Sequence, residues 1–253
     1  MTGINDPSQT SEPLIQQPVD APQRRSMWRT WLEIAMCSGY PTQIVISYVL
    51  LVAGLRPMSP TGQLNGTFVF LLALSDTVLL LSLIVWLLRR RGERPWTVFF
   101  GGRPPAREIA VGIAAVPVII ALVVALTLAI RRILPSLHNV PDNPLEGLIG
   151  DHAGGIWLFL FVVIVAGGVR EELQRAFLLH RFSADLGQRW MGVIITSIAF
   201  GLGHTLQGRD AAVITGALGA AWGVMYLTRG SALASMVSHS LFNSGELLRV
   251  FLR

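Results

Sequence analysis

Three short polar constellations interrupt the most apolar stretches of the sequence: Glu171-Glu172-x-x-Arg175, Phe200-x-x-x-His204 and His239-x-x-x-Asn243. Each lies in, or at the end of, a separate hydrophobic run long enough to approach a membrane span. Ionisable side chains at that depth are costly unless they face a cavity or a partner, so each is a site candidate. Two carboxylates, two imidazoles and an amide spread over three helices are the equipment of a centre that activates water.

Helical geometry divides the roles. Glu171 and Arg175 stand at i,i+4 and Glu172 and Arg175 at i,i+3, so the guanidinium can pair with either carboxylate. Adjacent glutamates project roughly 100° apart, which points to one facing a cavity and one held structurally. Phe200 and His204 share a helix face, and His239 and Asn243 repeat that spacing with Ser235 and Ser238 nearby. A His and an Asn on one face supply two fixed donors, as an oxyanion hole requires. The bland alternatives are an interfacial salt bridge for the acidic motif and interhelical hydrogen bonds for each His. Asp76, in an earlier apolar run, reads as a polar packing contact. His138, His152 and His180 read as exposed, and Glu33 and Glu246 as interfacial. The sequence has neither a His-Glu-x-x-His zinc motif nor a Gly-x-Ser-x-Gly nucleophile elbow.

The elements that must position these groups are membrane helices. Of 253 residues, 52% are hydrophobic and only 14% charged, against about 25% charged in ordinary soluble domains. All 20 basic residues are Arg, and the net charge is +5. The arginines fall between apolar runs and form no single basic face, which argues against nucleic acid as a partner and for topology signals. The single Cys37 excludes an internal disulfide framework and a multi-Cys metal site.

Residues 1–27, rich in Pro, Gln and Ser without a helical period, read as a disordered tail with no signal-peptide pattern. Spans are expected over Met27–Leu55, with a kink at Gly39-Tyr40-Pro41, over Gly66–Leu88 and over Arg107–Ile130. Leu134–Gly155 reads as a loop. A fourth run, Ile156–Val169, is short for a span and is expected to continue as helix to about Phe182. Trp190–Leu206, Ala211–Leu227 and Ala232–Leu252 complete the set. The expected fold class is therefore all-α, a polytopic transmembrane bundle of about seven spans with a polar site between helices near one membrane face. The arginine bias predicts a cytoplasmic N-terminus and places the acidic pair near the cytoplasmic face. Glycines 201, 203, 216, 219 and 223 read as close helix packing rather than a phosphate loop.

In this order, on successive hydrophobic segments, the three motifs resemble the CAAX protease and bacteriocin-processing family of intramembrane endopeptidases, which includes the type II CAAX prenyl proteases. Arg175-Ala176-Phe177-Leu178-Leu179 and Ser231-Ala232-Leu233-Ala234-Ser235-Met236 match in style, and the resemblance covers roughly Ile156–Leu248. There is one departure. The family pattern most often has three residues between the Glu pair and the Arg, whereas here only Leu173 and Gln174 intervene. Alignment on the glutamates makes Glu171 the catalytic carboxylate; alignment on Arg175 puts Arg170 in the first Glu position and Glu171 in the second.

The resemblance implies that Glu171 and His204 deprotonate a water that attacks a peptide carbonyl, while His239 and Asn243 hold the oxyanion and Arg175 anchors the acidic pair. Glu171 is the preferred base, with Glu172 as the alternative. The resemblance is compatible with either a metal-dependent or a metal-independent centre. No cofactor is expected, because the ligand spacing is not that of a recognisable zinc site, although Glu171 or Glu172 with His204 and His239 is a competing three-ligand zinc set. The expected partners are membrane lipid and a peptide or lipidated protein substrate. The expected organisation is a tail (1–27), N-terminal transmembrane helices and loop (28–155) and a catalytic core (156–253). Two other readings remain open: a non-catalytic membrane scaffold or immunity protein of the same fold, and a small transporter.

Overall fold

The computed structural model describes residues 27–141, 143–148 and 155–252. The expected tail lies outside these residues except for Met27, as do His152 and parts of the expected loop. The described residues form ten α-helices, with no strand among them: α1 Met27–Met36, α2 Tyr40–Val52, α3 Gly66–Arg90, α4 Pro95–Phe100, α5 Pro105–Ile133, α6 Gly155–Val162, α7 Glu171–Ala184, α8 Arg189–Leu202, α9 Arg209–Arg229 and α10 Leu233–Phe251. A π-helical segment, Val163–Arg170, joins α6 to α7. The expected loop 134–155 carries two 3₁₀ turns, Pro135–Leu137 and Glu146–Leu148.

Three helices, α3, α5 and α9, are long and apolar enough to cross a membrane. The count rises to four if α1 and α2 form one span bent by 42°. The seven expected runs are all helical, but α8 has only 14 residues, the fourth run leads into the charged stretch Arg170-Glu171-Glu172, and α10 is interrupted by polar residues such as His239 and Asn243. The chain is an integral membrane protein by this pattern. On α5, Ile113, Val118, Val124 and Leu128 are exposed, the face a lipid solvent would cover.

The bend between α1 and α2 falls at Gly39, whose φ of 91° is left-handed. A side chain there would also meet Arg170 and Gln174, so both backbone and space require glycine. Asn65 caps α3, its side chain accepting from the Phe68 amide at 3.3 Å. Arg89 and Arg90 end the same helix, favourably placed for its dipole.

One end of the bundle gathers the arginine-rich turns. Arg91 after α3 bonds to Asp185 after α7, Glu108 of α5 pairs with Arg229 of α9 at 2.6 Å, and the Ala232 amide before α10 donates to Phe99 of α4 at 2.7 Å. Against the same end sits the larger hydrophobic core, with Leu80, Ile84, Leu88, Phe177, Leu179 and Phe182 buried. Helix α7 is central, with Glu172 and every residue from Gln174 to Leu179 buried. α8 packs on α9, and α10 packs on α5 and on the π segment. Gly201 lies so close to Ala212 of α9 that a Cβ would come within 2.5 Å of its carbonyl oxygen. That is the close approach expected of small residues in membrane bundles.

The acidic pair lies well inside a continuous helix, as the expected continuation to about Phe182 requires. Glu171 precedes the α7 terminus at Ala184 by 13 residues, about 20 Å along a helix axis. The apolar run stops at Val169, but the helix does not. Its continuation is covered by protein, so its polarity marks burial among neighbours rather than exit from the bundle.

Candidate active site

The continuous helix 155–184 supplies the first part of the site. Its π segment contains Gly167 and Gly168, against which α10 lies directly: a Cβ on Gly167 would meet Asn243 Nδ2 at 2.6 Å, and one on Gly168 would collide with Ser240. The wide π turn and the two missing side chains bring α10 close just before the acidic pair. π turns of this kind recur at functional sites.

A cavity of about 540 Å³ opens between α3, the π segment, α8, α9 and α10. Glu171, Phe200, His204, His239 and Asn243 line it, and so do Arg170, Asp76 and Trp222. Glu172 does not line it. Its carboxylate is buried, with Oε1 bonded to Arg175 and accepting from His239 Nδ1 at 2.9 Å. Its Oε2 has no hydrogen-bond partner among the described residues. The two glutamates therefore part company. Glu171 is 19% exposed, into the cavity, with Oε2 3.8 Å from His239 Nε2 and Oε1 4.0 Å from Arg170.

Aromatic rings fix the imidazoles. His239 stacks on Trp222 at 3.8 Å between centroids and 16° between planes. Phe200 meets His204 at 4.7 Å and His239 at 6.1 Å, edge-on to both. The Arg175 guanidinium lies 4.6 Å from the Phe200 centroid, and Gly219 leaves the room, since a Cβ there would come within 2.9 Å of Phe200. Arg175 is thus clamped between its carboxylate and two aromatic faces, an arrangement suited to a guanidinium.

Hydrogen bonds also assign the ring nitrogens. His204 uses Nδ1 on the Phe200 carbonyl at 2.8 Å. The Glu172 carboxylate accepts from His239 Nδ1. In both rings Nε2 is the nitrogen left for other chemistry, a choice set by the bond the first nitrogen makes. Among the described residues, no group of three or more His, Cys, Asp or Glu is arranged to hold a metal ion.

Asp76 does more than pack. It takes an ion pair from Arg170, a hydrogen bond from Thr42 at 2.5 Å and a longer one from Gln43 at 3.4 Å. Sequence reasoning met Arg170 only as an alternative alignment of the acidic motif and gave it no partner, and it passed over Trp222 and the Gly167-Gly168 pair. The glycines, two residues short of the glutamates at the end of an apolar run, were the available signal. Nothing in the sequence marks Trp222 as the partner of His239.

Of the remaining described candidates, Glu246 alone borders the cavity, at its α10 side. His138 is exposed and pairs with Asp210 at 2.7 Å, and His180 is half-buried against Glu93 at 3.1 Å. Glu246 pairs with Arg249 on an exposed stretch of α10. Glu33 is more than interfacial, because it receives both Arg91 and the fully buried Arg181. Comparisons with curated proteins and with solved structures gave no match. Residues 153–245, running from just before α6 into α10 and spanning all three polar motifs, match the family model described as Type II CAAX prenyl endopeptidase Rce1-like.

Proposed function

We propose that the protein is an intramembrane endopeptidase that hydrolyses a peptide bond in a membrane-associated or lipidated substrate, using water activated by Glu171 and His204. The observation that carries this is the meeting of Glu171 from α7, His204 from the turn that follows α8, and His239 and Asn243 from α10, in the wall of one cavity. Glu171 accepts the water proton while the Nε2 of His204 orients the same water. The oxygen adds to the scissile carbonyl, and the resulting oxyanion is held by Asn243 Nδ2 and by His239 Nε2 when that ring carries both protons. Collapse breaks the C–N bond, and the proton on Glu171 passes to the leaving amine. Glu172 and Arg175 are positioning residues: they act on His239 and do not touch substrate. No step is assigned to a metal ion.

In this reading the seven helical passes are crossings, with the arginine-rich end and the N-terminus cytoplasmic. Residues 156–253 carry the chemistry, and 28–155 carry the helices that wall it in. The family description, with its prenylated CAAX substrates, makes a lipidated C-terminal peptide the first substrate to try. The test is release of product from a fluorogenic prenylated peptide in reconstituted vesicles. Glu171→Ala and His204→Ala should each abolish release while both variants accumulate in membranes as wild type does. Full activity in either variant overturns the assignment. An inert wild type, tried against prenylated and unmodified peptides, favours the scaffold.

A further inference from the structure

We infer that Asp76, on α3 and outside the family-matched segment, is a positioning residue for the Glu171 base, acting by holding the Arg170 guanidinium off it. This rests on the endopeptidase reading above. Three carboxylates and two guanidiniums meet beside the cavity, and each guanidinium has one close carboxylate. Arg175 is bonded to Glu172 and Arg170 to Asp76, while Glu171 has its nearest guanidinium nitrogen 4.0 Å away. Glu171 is thereby left with an oxygen free to take a proton from water.

The arrangement depends on Asp76 because Arg170 directly precedes Glu171 and already comes within 4.0 Å of its carboxylate. Arg170 and Asp76 are almost fully buried, with 8% and 2% of their side chains exposed. Without Asp76, Arg170 would have no bulk water in which to leave its charge, and the closest anion is Glu171. A buried guanidinium turns to the carboxylate it can reach, since an unpaired charge there is strongly disfavoured. Thr42 and Gln43 on α2 bond to both Asp76 oxygens and so fix the acceptor that restrains Arg170. A base locked in an ion pair is a poor proton acceptor.

The experiment compares D76N, D76N/R170Q and wild type in the prenylated-peptide assay, with membrane accumulation checked for each. D76N should lower kcat by about 10²-fold, the scale of a lost general base, with KM little changed. D76N/R170Q removes the freed guanidinium along with its restraint, and should recover most of that loss. A merely structural Asp76 would lower membrane accumulation and stability in D76N, but would leave kcat per folded molecule at the wild-type value.

The contrast can also be read without turnover, by dicyclohexylcarbodiimide modification of Glu171 mapped by peptide mass spectrometry. Modification should fall in D76N and return in D76N/R170Q. An inert wild type would overturn the endopeptidase reading while leaving this labelling contrast to judge Asp76. Wild-type kcat and labelling in D76N, or a double variant no better than D76N, overturns the inference.

Discussion

Two buried clusters in this protein draw on the same inventory, three carboxylates and two guanidiniums, and wire it differently. At the arginine-rich end, Arg91 bridges Glu33 and Asp185, and Arg181 bridges Glu33 and Glu93. Each carboxylate there has an Arg donor within 2.9 Å. Beside the cavity each Arg serves one carboxylate closely, and Glu171 has none at that range. Shared guanidiniums tie α1, α3 and α7 together. Dedicated guanidiniums leave one anion over, facing open space. Charge count alone does not separate a structural cluster from a reactive one; the pattern of pairing does.

The comparison can be broken at several points. The largest effect belongs to the left-over anion. Glu171→Ala should reduce cleavage by about 10²–10⁴-fold, the contribution of a general base, with little change in thermal stability measured in detergent. Arg181→Met should give the opposite signature. It strips a fully buried cation from Glu33 and Glu93, so a loss of about 3–5 kcal/mol in stability is expected, read by unfolding in detergent, with per-molecule activity retained in the folded fraction.

Next comes Gly167→Ala. Its methyl group must displace Asn243 Nδ2, so kcat should fall by about 10²–10³-fold, as for a lost oxyanion donor, with KM steady. Unchanged kcat would remove Asn243 from the reaction. The smallest effect is expected at the Arg249–Glu246 pair, where both side chains are 46% exposed. Arg249→Ala should shift stability by under about 1 kcal/mol. A large activity loss there would mark a substrate contact that the pairing pattern misses.

Much of this was legible in the sequence, for physical reasons. Apolar runs mark helices because lipid permits little else, so α3, α5, α9 and the break at Gly39 follow from hydropathy and a Gly-Tyr-Pro signal. The six-residue α4 escaped because Pro95, the Pro104-Pro105 pair and six arginines crowd the stretch from Arg89 to Arg107. The π segment escaped because a π turn differs from an α turn by one extra residue within the hydrogen-bonded loop, which leaves no trace in periodicity. Adjacent glutamates must diverge, but their sequence cannot say which turns inward. Neighbours from α10 and α9 decide that, through His239 and the stacked Trp222. Asp76 and Arg170 are 94 residues apart, and no local rule joins them.

The brevity of α8 bears on how the reaction would be supplied. Fourteen residues make about 21 Å of helix, while a hydrocarbon layer is about 30 Å thick. On the proposed reading, a helix entering at the arginine-rich end stops short of the far surface, and His204 lies just past its end, on the wall of the cavity that also holds Glu171. An imidazole set beyond a helix end, rather than along it, would let the consumed water come from the aqueous side while the peptide arrives sideways from the lipid.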